Sequence, residues 1–570
     1  MPVQKFPTLT LEQLKTLEGA VPYEPEQQFT SEVEETQQGG VEVLLTPEGA
    51  EDDIPLTMPG SEAAPPPPHN ENIALALTDD ELQEIGNHVV NAFAVDYESS
   101  QEWRNIFTET MDYLGLKIEH KTFPFPGATS AVHPVLLEAI VKFQSKASPE
   151  LLTAKGPVSI RIVGKITEEL EAQALRVKNY MNYQITDLMT EYTPEMERTL
   201  FFLAYSGSAF KKTFFDPILD RPRSIFVSPD DFVVPYSASD LETAERYSHR
   251  YKLSGNDLRK LIARGVYRDA PLQKTVADNA PTPIQSAINE ADGRTPGSYV
   301  DLDEEYEIIE SHINYDLPGT FADPDGIAWP YIVTVDKNSK QILSITRNWR
   351  EEDPKRAKRV WFAHYKFIPG FGFYGYGYMH LIGGLAMMAT GSMQMLGDAG
   401  ILANLPAGFK AHGVRVVGGS DGYVPGEFKE VNSPMQDLTK AFMPLPFKEP
   451  SLTLFNLLGF VTEAAGRFAD ATEQVISDST SYGPVGTVMA LLEASGKMFT
   501  AVHKRCHYSQ KQDLSILAEI NYDILPPSQQ YSIEGGVREI MREDFDGRVD
   551  IVPVSDPNVP SQSHRISKAQ

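Results

Sequence analysis

A single cysteine, Cys506, excludes an intramolecular disulfide framework and any zinc ribbon built from several thiolates, and it suits a reducing compartment. Positive charge is also scarce. With 50 Lys and Arg against 79 Asp and Glu the formal net charge is −29, which argues against simple adhesion to nucleic-acid phosphates or anionic lipid. The opening MPVQKFPTLTLEQL has no basic segment leading into an apolar one, so no secretory signal is expected. No H-E-x-x-H and no phosphate-loop G-x-x-x-x-G-K-[ST] occurs, and nothing in the composition argues for an enzyme. The most informative absence is local. Thirty-one consecutive residues, Phe367 to Gly397, hold no Asp, Glu, Lys or Arg, but eight glycines and five of the sixteen methionines. A stretch so short of charge must be buried against something.

The rest of the chain is ordinary for a folded protein, with 41% hydrophobic and 10% aromatic residues over a length that could hold about four average domains. Residues 1 to 72 are the exception. Fourteen acidic side chains against Lys5 and Lys15 leave little apolar surface to offset chain entropy, so residues 1–74 are expected to form an acidic, mobile arm. Order is expected from Thr78, where Thr78 and Glu81 spell a capping box ahead of Leu82, Ile85 and Val89. To about residue 200 the pattern is helical, with Pro134 and Pro194 expected at first helical positions.

Strands are expected at 224–227, 232–235, 306–314, 331–336, 342–349 and 360–367, with a helix at 256–262 and a loop rich in Pro, Asp and Ala over 268–298. The expected class is α+β. Further on, helices are expected at 378–396 and 452–475, the second with Leu454, Leu457, Leu458, Val461, Ala465 and Phe468 on one face. The proline-free run 485–524 predicts a helix about 60 Å long at 1.5 Å per residue.

Three readings compete for the uncharged stretch. Gly370-Phe-Gly-Phe-Tyr-Gly375 satisfies G-x-G-x-x-G, with Asp398 some twenty residues on, which would make a nucleotide-cofactor-dependent enzyme using this loop the alternative function. Repeated βαβ units are absent, however, so a flexible aromatic turn is the plainer expectation. A membrane span would be long enough, but Gly, His380, Thr390, Ser392 and Gln394 make it too polar, and no flanking basic cluster sets an orientation. The third reading is a helix packed against copies of itself. Elsewhere, His503, Cys506 and His507 could place two imidazoles one turn apart, but Lys504 and Arg505 between them favour a packed or solvated helix face over a metal site. Asp230-Asp231, Glu304-Glu305 and Glu351-Glu352 are expected to be solvated turns.

Four phrases in order, DPILDRPRSIFVSPDDFVVPYSASDLETAERYSHRYKLSGNDLRKL (216–261), FGFYGYGYMHLIGGLAMMATGSMQMLGDAGILANLPAGFK (371–410), MPLPFKEPSLTLFNLLGF (443–460) and GPVGTVMALLEASGKMFTAVHKRCHYSQKQDLSIL (483–517), resemble the portal, or head-to-tail connector, protein of short-tailed double-stranded DNA bacteriophages. The resemblance covers roughly 75–560. It implies a dodecameric ring at one capsid vertex, the channel for DNA packaging and ejection, in the virion after assembly in the host cytoplasm. The implied fold has an α/β wing (75–375), a first stem helix (376–398), a small α/β clip (399–449) and a second stem helix (450–475). A tunnel loop (476–484), a long wing and tunnel helix (485–525) and a short or truncated helical crown beginning in 526–570 complete it.

What the resemblance implies for residues follows from those spans. Asp478, Ser479, Thr480, Ser481 and Tyr482 would face DNA, which passes without sequence specificity. Gly383, Gly384, Ala386, Met387, Met388 and Gly391 would pack the stem helix against neighbouring copies, the small residues allowing close approach and the methionines filling gaps. Lys410, Arg415, Lys429 and Lys440 in the clip would serve either solubility or docking. The implied partners are other copies of the chain, the major capsid protein, the terminase large subunit and a tail adaptor or head-completion protein. No catalytic residue, cofactor, metal or membrane is expected.

Overall fold

The chain divides between Pro66 and Pro67, inside its four-proline run. The computed structural model describes residues 29–35, 41–47, 68–117, 120–162, 164–272, 282–291, 293, 305–404, 408–410, 412, 415–416, 431–432, 442–444, 448–469, 497–533 and 536–554. In the first unit β1 (Phe29–Glu35) pairs antiparallel with β2 (Val41–Pro47), Phe29 opposite Pro47 and Glu35 opposite Val41. No strand is expected there from the sequence, because the acidic composition of the arm outweighs the short alternation in Val41 to Leu45.

The second unit is a mixed α+β structure. It begins before the residue expected, with Asn72, Ile73 and Ala74 all buried. The Asn72 amide behaves as one residue of an extra strand: its Nδ2 donates to Leu343 O (2.9 Å) and its Oδ1 accepts from Ile345 N–H (3.0 Å). This satisfies a sheet edge that would otherwise be open for pairing. Asn72→Ala is expected to lower stability by about 1–3 kcal/mol, because Ile345 N–H loses its buried partner while Leu343 O keeps only Arg268 N–H (2.8 Å); thermal denaturation checks it.

The helix α1 (Asp79–Ser99) opens on the capping box expected from the sequence, Thr78 with Glu81. After Ser100 come α2 (Gln101–Met111), α3 (Val135–Leu151), β3 (Val158–Ile162), α4 (Glu168–Tyr183) and α5 (Tyr192–Ser206). Neither proline takes the position expected. Pro134 is the cap of α3, and Pro194 sits two residues inside α5, in the first turn where a missing N–H leaves no intrahelical bond unmade.

Strands follow: β4 (Ser208–Asp216), β5 (Arg221–Val227), β6 (Phe232–Val233) and β7 (Arg246–Ser254). Next are α6 (Gly255–Ala263) and α7 (Pro283–Ala291), the latter inside the stretch expected to be a loop. Its Ile284 is buried, and Thr282 ties its start to Asp230 through a 2.6 Å hydrogen bond, so tertiary anchoring overrides a loop-like composition. Then come β8 (Glu305–Tyr315), β9 (Trp329–Asp336), β10 (Ile342–Arg347) and β11 (Phe362–Lys366), close to the spans read from the sequence.

Two antiparallel sheets result. One has the order β10-β9-β8-β7-β6 and the other β11-β4-β5. The five-stranded sheet buries one face under α1, where Ile85, Val89 and Phe93 share a core with Ile309, Val333 and Val335. On its other face Leu258 of α6 covers Tyr306 and Ile308. The three-stranded sheet belongs to a larger core with α2, α3 and α5, in which Phe107, Phe143, Leu200 and Phe210 are fully buried.

The remaining elements are α8 (Tyr378–Leu381), α9 (Gly383–Asn404), β12 (Gly408–Lys410), β13 (Arg415–Val416), β14 (Val431–Asn432) and β15 (Phe442–Pro444). They are followed by α10 (Leu452–Ala469), α11 (Lys497–Ile524), β16 (Ser528–Ile533), β17 (Gly536–Met541) and β18 (Val549–Pro553). The helix expected at 378–396 breaks at Ile382 and continues to Asn404, through Gly397 and Gly400. Residues 470–475 and 485–496 of the other two expected helices lie outside the described residues, as do 555–570. Strands β12 and β15 pair with each other, as do β13 and β14, while β18 returns to pair with β3.

Candidate functional site

The glycines of the uncharged stretch serve a backbone crossing. Gly207 ends α5 with φ +89°, and a Cβ placed on it would lie 2.3 Å from both Gly377 N and Tyr376 C. Reciprocally, a Cβ on Gly375 would lie 2.4 Å from Gly207 O and one on Gly377 2.3 Å from Gly207 N. Two backbones therefore touch with no room for a side chain. Hydrogen bonds fix the contact: Phe367 N–H donates to Gly207 O (3.0 Å), Gly375 N–H to Ser208 Oγ (2.8 Å) and Trp103 Nε1–H to Gly375 O (3.3 Å). From α11, Arg505 reaches the Phe367 carbonyl with both Nε (2.9 Å) and Nη2 (2.5 Å).

The flexible turn expected here is instead a clamped tongue. Ile368 and Tyr376 close it by a two-way bridge, and Phe371 stands at its tip, 98% exposed. The G-x-G-x-x-G glycines face the chain's own atoms, Tyr374 O for Gly370 and the Tyr236 ring for Gly372. The strand before them, β11, pairs antiparallel with β4, so the segment lacks both the βαβ setting and the free backbone that a pyrophosphate needs. His380, in the turn of α8, is pushed down to about 4 by burial and packs on Tyr376 and Trp103 as a neutral ring.

The six residues expected to pack the stem separate onto two faces of α9. Gly383 and Ala386 face inward: a Cβ on Gly383 would meet Thr110 Cγ2 at 2.8 Å, and Ala386 is buried, so both serve packing within the chain. Ala389 and Thr390 lie with them, Thr390 Oγ1 accepting from His133 N–H (3.1 Å). Lower down, Gln394 and Asp398 bind Lys121 and Thr129 N–H at 2.8 and 2.6 Å. Outward stand Gly384, Met387 and Met388, with Gly391 half-buried and Met395 63% exposed. Gly384, Met388, Gly391 and Met395 are spaced four, three and four residues apart, which is one continuous helical stripe.

Helix α10 repeats the division. Val461 and Ala465 are buried, and Leu454, Leu457 and Leu458 are half-buried on the face read from the sequence, where α10 packs on α9 and α3. Leu452, Phe455 and Phe460 point away, Phe460 67% exposed. No charged residue occurs in α10 before Glu463. Each helix thus leaves apolar side chains exposed, while Met387 also borders a cavity lined by Asp112, Lys117, Lys121 and Glu290.

The candidate docking residues Lys410 and Arg415 lie on β12 and β13, in separate two-stranded ladders. Lys429, Lys440 and the expected DNA-facing residues Asp478 to Tyr482 lie outside the described residues. So does Gly418-Gly419-Ser420-Asp421-Gly422, a G-x-S-x-G string. His503 and His507 are buried on α11, His503 Nδ1 sharing a 2.5 Å hydrogen bond with Glu150, and burial pushes the Cys506 thiol up to about 12. Among the described residues no group of three or more His, Cys, Asp or Glu is placed to hold a metal. Nor, among them, is any helix long and apolar enough to cross a membrane.

One carboxylate pair is not the solvated turn expected. Asp230 is buried and bound by Arg104 (2.5 Å) and Arg250 (2.8 Å), while Arg250 also reaches Asp231 at 2.9 Å. A second feature has no counterpart among the sequence expectations. Lys211 and Lys212, adjacent on β4, are both buried and point to opposite faces. Lys211 Nζ donates to Asp513 of α11 at 3.0 Å, and Lys212 Nζ donates to Glu310 of β8 at 2.6 and 2.7 Å. The only trace in sequence is a lysine pair within an otherwise apolar run, Ala209 to Phe215.

No protein-family model matches the chain, and no curated protein matches it.

Proposed function

We propose that this chain is a portal, or head-to-tail connector, protein of a short-tailed double-stranded DNA bacteriophage. Twelve copies form a ring at one capsid vertex, and DNA enters and leaves through it. The ring docks the terminase large subunit during packaging and a tail adaptor afterwards, and it is held in the major capsid protein shell of the virion.

The observation that carries this reading is the exposed face of α9 and α10. A chain with net charge −29 would repel its own copies, yet the exposed side chains Met388 and Met395 of α9 and Leu452, Phe455 and Phe460 of α10 are apolar. Copies can approach there at the least electrostatic cost. A ring needs two different complementary faces per subunit, closing after a fixed rotation. The order of elements supports the same reading: an α+β body, helix α9, small ladders, helix α10, and a long helix α11 that reaches β4 through Asp513.

Negative-stain images of purified particles test the proposal. Rings with a central hole are the expected result, and single subunits at every concentration would overturn it. Gly384→Leu separates assembly from folding, because nothing lies within 4 Å of a Cβ at that position. The variant is expected to keep the melting temperature of the subunit and to lose rings by native mass spectrometry.

A further inference from the structure

The two sheets meet across a face in which buried charged and imidazole side chains stand beside an aromatic cluster, Phe210 and Phe362 packing on Phe232 and Tyr247. Lys212 of β4 and Phe362 of β11 are cross-strand neighbours and project together from the three-stranded sheet. Opposite them the five-stranded sheet presents Tyr247 and His249 of β7, paired with His312 and Glu310 of β8. Glu310 accepts from Lys212 Nζ and shares a 2.9 Å hydrogen bond with His312 Nε2. Phe362 lies edge-on to His249, His312 and Tyr247, with ring centroids 5.5 to 5.7 Å apart. All these side chains are buried or nearly so, and neither His249 Nδ1 nor His312 Nδ1 has a hydrogen-bond partner. The neighbouring charged and titratable groups are Arg250 and Tyr251 of β7, Tyr267 beyond α6, and Lys358 before β11.

We propose that this seam is a proton-sensitive joint, at which mild acid separates the five-stranded sheet and α1 from the rest of the folded unit while the helical core around α3, α5 and α11 stays closed. The inference is independent of ring formation. Its geometry supplies the reason: these imidazoles are kept from water by the meeting of the two sheets, so parting the sheets lets them take up protons.

The sign is the same for each group. Burial, and then Lys212, push His249 down to about 3 from its ordinary 6.5, and burial also lowers His312. Burial alone would raise Glu310, but Lys212 and His312 hold it below the ordinary carboxylate range. Each therefore binds more protons when the joint is open. Their contribution to closure is complete above about pH 6.5 and is lost as the pH falls toward 3. Once charged, His249 and His312 would also face Lys212 with one carboxylate, Glu310, among them, since Arg250 turns to the other face of the sheet and is held by Asp230 and Asp231. In such a setting the sheets part before the core does.

Hydrogen exchange on the full chain at pH 7, 5 and 4, corrected for the intrinsic rate, tests the joint. Peptides covering 246–254, 305–315 and 362–366 are expected to lose protection at least about tenfold before those of α3, α5 and α11, a gap of about 1.4 kcal/mol in opening free energy. His249→Phe removes one proton acceptor while keeping a ring against Phe362, and it is expected to move the loss to lower pH. Glu310→Gln leaves Lys212 buried without its counter-charge and is expected to open the seam at neutral pH. If that variant fails to fold, the wild type and His249→Phe decide. Loss of protection throughout the protein at one pH, or an unchanged pH profile in His249→Phe, would overturn the proposal.

Discussion

Asp513→Ala is expected to destabilise the protein by about 3–5 kcal/mol, because it strands a buried lysine charge. Lys211 and Asp513 are 0% and 2% exposed, so water cannot take the place of the missing partner. Four side chains converge on this carboxylate: Lys211 Nζ, Tyr192 OH at 3.1 Å, Ser224 Oγ at 3.2 Å and Thr213 Oγ1. The Lys211 ammonium also lies 3.6 Å from the centre of the Tyr192 ring. Burial lowers the Lys211 pKa despite Asp513, so in the variant it has every incentive to shed its proton or unfold. Urea denaturation checks the value. The double change Lys211→Met with Asp513→Leu is expected to cost less than Asp513→Ala alone, since it removes both charges rather than orphaning one.

Gly207→Ala is expected to be at least as damaging, by a purely steric route. The residue has φ +89°, and its Cβ would collide with the backbone of the crossing segment rather than with a yielding side chain. Either strain alone costs about 1–3 kcal/mol, and the collision forces one of the two backbones to move. Gly377→Ala attacks the same crossing from the other side. Soluble yield and melting temperature are the readouts. Gly384→Ala is the contrast, expected to be neutral or to stabilise by up to about 1 kcal/mol because the site is open and helical. A shared loss in all three variants would contradict the crossing.

The contrast also shows what the sequence could and could not reveal. A capping box such as Thr78 with Glu81 is local chemistry, and the strands β8 to β11 are rich in β-branched or aromatic residues, so both are readable. The outward side of α9 was not separable from its inward side. Gly383 and Gly384 are identical letters, and only the position of Thr110 assigns one to the chain's own packing. Strand β4 was missed because two adjacent lysines look solvated until Asp513 and Glu310, some 302 and 98 residues away, are brought to them. The same distance effect hid α7, whose seat depends on Asp230, and it turned the Asp230-Asp231 pair from an expected surface turn into an ion-pair centre. The glycines of 370–377 are expected from the sequence as a flexible turn. In the crossing they are the opposite, positions where two segments are pressed together.

The lysine pair on β4 has a further consequence, for error-checking during folding. A strand that slips by one residue turns each side chain to the opposite face. In the native alignment each lysine meets its own acid. Slipped one way, Phe210 would be offered to Asp513 while Lys211 met Glu310; slipped the other way, Thr213 would be offered to Glu310 while Lys212 met Asp513. Each misalignment takes both lysines from their own acids, so two neighbouring residues can proofread the placement of a central strand against both halves of the protein.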